Sequence, residues 1–306
     1  ERIPVSVVTG FLGSGKTTLL NHLLRQPAMA DSAVIVNELG EIGLDHLLVE
    51  RIDGETVLLQ SGCICCTMRS DLESSLRGLL AKVHRGEIAR FARVLVETTG
   101  VADPAPICQL LLNNPLLTHW FGLDTVVTTI DAVHGLRQLT DRPEARKQTA
   151  LADRLLITKG DLATADDVAA LDARLAALNR TATRYRVHQG AIAADRLFGA
   201  WAADPARRLA ELVERAGDDA HHHAHADGIV AVALSFAEPL AWPRVQGWLA
   251  ALRALHGERL LRVKGILALE GEPAPVVIHG VHHVIHPPVR IAAWPDDDRR
   301  SRLVLI

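Results

Sequence analysis

A glycine-rich segment near the start of the chain has the residue types and spacing of a phosphate-binding loop. It reads GFLGSGKTT and lies between a strand-like run and an apolar-periodic helix. Its glycines let backbone N–H groups turn inward around phosphate oxygens at the positive end of a helix. Its lysine is spaced to bridge β- and γ-phosphates, and the first threonine to bind Mg²⁺. We therefore predict that a nucleoside triphosphate is bound by Gly10, Gly13, Ser14, Gly15, Lys16, Thr17 and Thr18. Lys16 and Thr17 are also predicted to act in catalysis.

A second cluster of reactive side chains lies at Gly62–Cys66, which contains three of the chain's 4 cysteines. A disulfide framework is not expected, because only Cys108 lies elsewhere in the sequence. Clustered thiolates favour Zn²⁺ or Cu(I), whereas a redox dithiol, the alternative, more often has the spacing CxxC. We predict that Cys63, Cys65 and Cys66 are metal ligands.

The segment VLVETTG has the pattern of the strand that completes a P-loop site. A buried strand that ends in an acid places a carboxylate near Mg²⁺, and a glycine N–H soon after it can respond to the γ-phosphate. We predict these roles for Glu97 and Gly100. No arginine finger can be identified and no glutamine lies beside Gly100, so intrinsic hydrolysis should be slow. Glu41 and Asp45 are candidates for positioning the attacking water.

The segment TKGD, residues 158–161, is predicted to read the base. An aspartate there can accept two hydrogen bonds from the N1–H and amino group of guanine, a donor pair that adenine lacks. The alternative is an acid that begins a helix. We expect Thr158, Lys159 and Asp161 to bind guanine, with the backbone of the loop at His188 donating to its O6 atom.

Length and charge exclude several classes of partner. The 306 residues are enough for two domains. A net charge of -3 and a pI of about 6.6 give no electrostatic reason to expect nucleic acid as a partner. No apolar run approaches the ~20 residues of a membrane span, and a strand predicted almost at the first residue leaves no room for a targeting segment. We expect a cytoplasmic protein without nucleic-acid or membrane partners.

The first two thirds of the chain alternate strand-like and helix-like segments. β-Branched runs between amphipathic helices indicate an α/β fold, a P-loop NTPase whose mostly parallel sheet is covered by helices on both faces. Ligand loops should then gather at the carboxyl ends of the strands. The predicted strands are Val5–Thr9, Ala33–Val36, Val57–Leu59, Val94–Glu97, Thr125–Ile130 and Arg154–Ile157. The predicted helices are Leu19–Leu24, Asp71–Lys82 and Ala165–Ala177.

Three segments are distinguished along the chain. The P-loop domain is predicted to cover residues 1–203, and a polar linker, residues 204–227, contains the tract His221–His225. This tract is either a loose metal-collecting site or a set of incidental histidines in a solvated linker. Residues 228–306 are predicted to form a smaller C-terminal α+β domain.

The C-terminal domain is predicted to contain one helix, Pro243–Leu255, and a hairpin of Leu260–Ala268 with Ala274–Val281. It also contains the histidine-rich run His279–His286. In one continuous strand His279 and His283 share one face and His282 and His286 the other, so all four cannot bind one metal unless the strand bulges at Gly280. We interpret them as surface histidines rather than metal ligands.

Together these motifs resemble the CobW-type metal-handling GTPases, and within them the YjiA-like branch. The resemblance rests on segments in the family's order: TGFLGSGKTTLLNHLL, VNELGEIGLD, GCICC, ETTGVADPAP, IDAVHG, ADRLLITKGD, LLRVKGIL and GEP. It implies a GTP-hydrolysing metallochaperone that binds a transition metal and transfers it to client proteins, coupled to GTP binding and hydrolysis. The implied cofactors are GTP, Mg²⁺ and Zn²⁺, with Co²⁺ or Fe²⁺ as alternative metals, and a homodimer is left open.

The resemblance also implies a first switch at VNELGEIGLD. Glu38 and Glu41 would lie near Mg²⁺ or the transferred metal, and the three clustered cysteines would be its thiolate ligands. Two other functions stay open on the residues alone: a P-loop kinase with a structural zinc, and a nucleotide-dependent regulatory module with little turnover. Phosphate transfer to a small acceptor would favour the kinase, and metal affinity independent of nucleotide would favour the module.

Overall fold

The structure is a computed structural model that describes residues 2–37, 57–61, 68–199, 229–257, 259–282, 284–285, 288–294 and 297–306. These residues fall into two compact units. The first comprises the described residues up to Ala173 together with Arg184–Gly199, and the second comprises Arg174–Thr183 with the described residues from Ile229 onward. The predicted boundary after residue 203 and the linker lie outside the described residues and stay predictions.

A parallel sheet organises the first unit. Its strands are β1 (Ile3–Gly10), β2 (Ser32–Asn37), β3 (Val57–Ser61), β4 (Arg93–Glu97), β5 (Phe121–Asp131), β6 (Arg154–Thr158) and β7 (Thr183–Arg186). Their order in the seven-stranded sheet is β3-β2-β4-β1-β5-β6-β7. All pairings among β1 to β6 are parallel, which confirms the predicted sheet type and each of the predicted strands.

Helices cover both faces of this sheet. They are α1 (Lys16–Leu24), α2 (Met68–His84), α3 (Ala105–Asn113), α4 (Pro115–Trp120), α5 (Gly135–Asp141), α6 (Pro143–Leu151) and α7 (Ala165–Leu178). Val7 and Val8 of the central strand point to opposite faces, and both are 0% exposed. One face packs on α1, whose leucines share a core with Val8 and Leu95. The described part of the chain has no helix with the length and hydropathy that a membrane span requires.

Strand register brings the predicted site residues to one edge of the sheet. Gly10, the last residue of β1, lies opposite Thr129 of β5, and Asp131 of β5 lies opposite Thr158 of β6. On the other side of β1, β4 ends at Glu97. Because parallel strands all end at the same edge, phosphate-binding and base-binding segments meet there.

The second unit contains an antiparallel sheet and a long helix, as expected for an α+β domain. Its elements are β8 (Val232–Phe236), α8 (Trp242–His256), β9 (Arg262–Leu267), β10 (Val276–Val281), β11 (Val284–Ile285), β12 (Val289–Arg290) and β13 (Ser301–Leu305). The order is β11-β10-β9-β13-β8, with β12 paired to β10. Strands β9 and β10 form the predicted hairpin. The core includes Val245 and Leu249 of α8 packed with Val263 and Ile278 of the sheet.

The surface interpretation of the histidine run is wrong for His279. This residue is 5% exposed, and its Nε2 atom lies 3.5 Å from Nη2 of the buried Arg262. The run is not one strand, because β10 ends before His282, which has a φ of 52° in a turn. Every residue of β10 is buried. Both faces of this strand are therefore covered, and neither face exposes its side chains to solvent. His283 and His286 lie outside the described residues.

Candidate functional site

The loop between β1 and α1 holds the predicted phosphate-binding residues. The Nζ atom of Lys16, the first residue of α1, lies 3.0 Å from the Gly10 carbonyl oxygen and 3.3 Å from that of Phe11. These bonds place the ammonium at the loop, beside the helix N-terminus. Backbone N–H groups and the helix dipole favour an anion at such a position.

Strand β5 fixes the first turn of this loop. Gly10 has a φ of 143°, and a Cβ atom there would lie 2.4 Å from the Thr129 carbonyl oxygen. The Thr129 hydroxyl is also 2.7 Å from the Ser14 hydroxyl, with which it shares a hydrogen bond. Only glycine allows this approach. Thr129 supports the loop, a role that the sequence analysis missed.

A candidate Mg²⁺ site lies where α1 meets the end of β4. The Thr17 hydroxyl is 3.3 Å from Oε1 of Glu97, whose side chain is buried. A hydroxyl and a carboxylate are the hard oxygen donors that Mg²⁺ prefers. The next residue, Thr98, donates from its hydroxyl to that of Thr9 at 2.7 Å and so anchors the end of β4 to β1. The residues present therefore fit the predicted ion.

The loop after β4 packs directly on the P-loop. A Cβ atom on Gly100 would lie 2.6 Å from the backbone nitrogen of Leu12. The backbone of the predicted γ-phosphate sensor is therefore adjacent to the phosphate-binding loop. Both segments were predicted from sequence, but their contact joins residues that are far apart in the chain.

The predicted base-binding residues also lie together. The Thr158 hydroxyl donates to the Ser14 carbonyl at 2.8 Å and links this segment to the P-loop. Asp161 Oδ1 lies 3.3 Å from Nδ1 of His188, and both side chains are exposed. The loop at His188 is held beside β6 because the Val187 N–H donates to the Ile157 carbonyl.

Asp131 is a functional candidate that the sequence analysis did not single out. Its side chain is 3% exposed, and its Oδ2 atom lies 2.7 Å from Nζ of Lys159. Burial alone would raise the pKa of this carboxyl, but hydrogen bonds from Lys159, Val133 and His134 hold the pKa below its ordinary value. The carboxylate therefore stays charged and fixes the lysine ammonium. The sequence signal that could have identified Asp131 is its position directly after a predicted strand, where ligand-binding residues gather.

The predicted metal ligands lie outside the described residues, as do the predicted water-positioning residues. They are Glu38, Glu41, Asp45, Cys63, Cys65, Cys66 and the tract His221–His225. Among the residues that are described, no three histidine, cysteine, aspartate or glutamate side chains group as a metal site would.

The chain leaves the described sheet toward both of the predicted metal-binding motifs at the same edge. Asn37, the last residue of β2, pairs with Ser61, the last residue of β3. The neighbouring residue Val36 pairs with Glu97. The switch segment and the cysteine motif therefore start one strand or two strands away from the candidate Mg²⁺ site.

Comparison with known protein families assigns both parts of the chain. Residues 4–186 match the family described as CobW/HypB/UreG, nucleotide-binding domain. Residues 229–306 match the cobalamin synthesis protein cobW C-terminal domain.

Similar proteins share this arrangement over nearly their whole length. The zinc chaperone YjiA of Escherichia coli is 34% identical over 305 residues, which cover 99% of this chain and 93% of that protein. The zinc chaperone CobW of a Sinorhizobium species is 28% identical over 340 positions, covering 100% and 92%.

A solved structure extends the likeness to three dimensions. The crystal structure of Zn(II)-bound YjiA GTPase from E. coli matches with a TM-score of 0.77 and 29% identity, over 100% of this chain and 94% of that one. A Zn(II)-bound YjiA GTPase triple mutant, in which one glutamate and two cysteines are replaced by alanine, matches equally well.

Proposed function

Because this chain belongs to the CobW/HypB/UreG family, we propose that it is a GTPase that carries zinc and delivers it to client proteins. In this proposal zinc is the cargo, bound through Cys63, Cys65 and Cys66, and the bound nucleotide controls how tightly it is held. The observation that supports the proposal is the pairing of β2 with β3 and β4. Val36, at the start of the predicted switch, lies opposite Glu97, and β3, which leads toward the cysteine motif, is the next strand beyond β2. The likeness to zinc chaperones over the full chain supports the choice of cargo.

The described residues include the groups that this proposal assigns to phosphate and Mg²⁺ binding. Lys16 offers its charge to the β- and γ-phosphates, and Thr17 with Glu97 would hold Mg²⁺, which neutralises charge on the same phosphates. We propose that Glu41 or Asp45 positions the attacking water. Turnover without a partner is slow in this scheme, because no arginine finger is identified in the sequence.

Coupling between nucleotide and metal follows from the placement of the two motifs. A CxCC motif supplies three thiolates, one fewer than a closed structural zinc site uses, and an open position suits transfer. Arrival of a γ-phosphate reorders the switch that carries Glu38 and Glu41. If that changes zinc affinity, zinc must change the affinity for GTP by the same factor.

We expect the wild-type protein to bind about one Zn²⁺ per chain at this site. Its affinity should differ by ~5-fold or more between the GDP state and a non-hydrolysable GTP analogue. Replacing Cys63, Cys65 and Cys66 together by serine should remove this zinc, because serine is a poor zinc ligand, while GTP affinity changes little. Zinc titration against a competing chelator, with each nucleotide bound, measures both effects.

The matched control is Cys108→Ala, which removes the remaining cysteine, a buried residue of α3, and should leave zinc binding intact. The chelator matters because a zinc-bound structure exists for a YjiA triple mutant that lacks two cysteines. Weak sites must therefore not be counted. If the triple serine variant keeps its tight zinc, the cysteine assignment is wrong and the histidine tracts become the leading site. Equal affinity in both nucleotide states would instead favour a regulatory module.

Asp131→Asn should weaken the binding of both GTP and GDP by about 5- to 10-fold. The substitution keeps the side-chain size but removes the negative charge, which lies 2.7 Å from Nζ of Lys159. The aliphatic stem of Lys159 is then no longer held in position to lie over the base. Both nucleotides are affected because they share the same base. Calorimetric titration with each nucleotide checks this expectation.

The control for this variant is Asp141→Asn, the same change in an exposed ion pair with Arg137 at 3.3 Å. Exposed pairs contribute little, so nucleotide affinity should be unchanged. Unaltered guanine nucleotide affinity in Asp131→Asn would show that the Asp131–Lys159 pair does not support the base site.

The remaining parts of the proposal concern partners and location. We propose a client protein that receives the metal, in keeping with the chaperone names of the relatives. The homodimer stays open, and the cytoplasmic location expected from the sequence stays a prediction.

A further inference from the structure

A fully buried glutamine of α6 holds the loop that follows β4. Gln148 is 0% exposed, and its Nε2 atom donates to the carbonyl oxygens of Ala102 at 2.9 Å and Gly100 at 3.2 Å. Both acceptors belong to the loop that packs on the P-loop. A carbonyl can only accept a hydrogen bond, so these partners also fix which side of the amide faces the loop.

The other polar atom of the Gln148 side chain is left in an unfavourable environment. The Oε1 atom of Gln148 is buried and has no hydrogen-bond partner among the described residues. A buried acceptor without a partner opposes folding, and an apolar residue of similar size would avoid that cost. The contacts made by the Nε2 atom are therefore what the glutamine contributes at this position.

The neighbouring residue of α6 holds the far end of the same loop. Nζ of Lys147 lies 2.9 Å from Oδ2 of Asp103, whose Oδ1 atom accepts from the N–H of Ala105 at the start of α3. The helix itself is anchored to the sheet, because the Thr128 hydroxyl of β5 donates to the Gln148 carbonyl at 2.9 Å. Helix α6 thus makes hydrogen bonds or an ion pair with both ends of the segment 100–103.

On its opposite side the loop packs closely against Leu12 of the P-loop. A Cβ atom on Gly100 would lie 2.6 Å from the Leu12 nitrogen and 2.7 Å from its Cα atom. The Gly100 backbone is therefore held between α6 and the P-loop. The N–H and the carbonyl of Gly100 belong to two successive peptide groups that are joined at its Cα atom. The Gln148 bond to the carbonyl restrains the second of these groups, and so limits how Gly100 can turn beside the P-loop.

We propose that Gln148 is a positioning residue for the γ-phosphate response, presenting the Gly100 N–H to GTP but contributing nothing specific to GDP. The inference rests on the proposed function, because it assumes that Gly100 senses the γ-phosphate. Gln148 does not touch the nucleotide and acts through the loop.

Gln148→Met keeps the volume and removes both donors, so affinity for a non-hydrolysable GTP analogue should fall about 10-fold. GDP affinity should change less than about 2-fold, because GDP has no γ-phosphate. Steady-state turnover should fall as well. Calorimetric titration with both nucleotides measures these two affinity changes, and a thermal melt confirms that the variant is folded. Gln148→Asn, whose amide is one CH₂ too short to reach both carbonyls, is used if the methionine variant does not fold.

The matched control is Thr149→Val in the same helix, which removes a buried hydroxyl that donates to the Ala145 carbonyl of α6. It should lower the stability of the fold without changing the ratio of the affinities for GDP and the GTP analogue. Equal losses for GDP and the GTP analogue in Gln148→Met, or no loss for either, would overturn the positioning role. Failure of the wild-type protein to bind guanine nucleotides would instead overturn the proposed function, and this inference with it.

Discussion

Lys16→Ala should abolish detectable GTP hydrolysis while the protein remains folded. In the proposed site the lysine supplies the positive charge opposite the β- and γ-phosphates, and loss of one such group typically lowers turnover by ~10²- to 10³-fold. Starting from slow intrinsic turnover, that loss brings the rate below detection. The structure places Nζ at the loop through bonds to Gly10 and Phe11, so alanine also removes two contacts and should lower the melting temperature slightly. Phosphate release from the purified variant is the measurement.

The control for this variant is Lys82→Ala near the end of α2, outside every segment that is assigned to phosphate or Mg²⁺. Its hydrolysis rate should equal that of the wild-type protein. A rate for Lys16→Ala that matches the wild-type rate would show that hydrolysis does not use the P-loop. A variant that fails to melt cooperatively would be replaced by Lys16→Met, which retains the aliphatic stem.

GTP should bind far more tightly than ATP, because only guanine presents two donors to the Asp161 carboxylate. Losing such a contact costs on the order of 2–4 kcal/mol, or roughly 30- to 1,000-fold in affinity. Asp161→Asn should reverse the preference between guanine and xanthine, since the new amide can donate to the 2-oxo group of xanthine. Competition of GTP, ATP and xanthosine triphosphate against a labelled guanine nucleotide tests both statements.

The matched control is Asp166→Asn, which neutralises an exposed acid in the first turn of α7 and should leave the base preference as it is. Equal affinity of the wild-type protein for GTP and ATP would refute the guanine assignment. In that case Asp161 only begins the segment that leads into α7. The contact with His188 at 3.3 Å would then be a surface contact of little consequence for the base.

Elements with a strong local signal were predictable. The P-loop depends on glycines at fixed spacing, and strands such as β1, β4 and β6 are runs of mostly apolar and β-branched residues that are buried on both sides. Helix α6 shows the opposite case. Its buried residues include Gln148 and Thr149, so no apolar period marks its inner face. The prediction that His279 is exposed was wrong for a related reason. Whether a polar side chain is buried depends on the segments that pack over it and not on its residue type.

The sequence alone predicted which short segments bind phosphate, Mg²⁺ and guanine, because glycine geometry and side-chain chemistry are local properties. Only the tertiary structure decided which segments are neighbours. Strand order places Glu97 beside Thr17 and Asp131 beside Lys159, and helix packing places Gln148 against Gly100. These contacts join residues 80, 28 and 48 positions apart. Pairing between strands and packing of helices on a sheet depend on the whole chain, so no local pattern contains them.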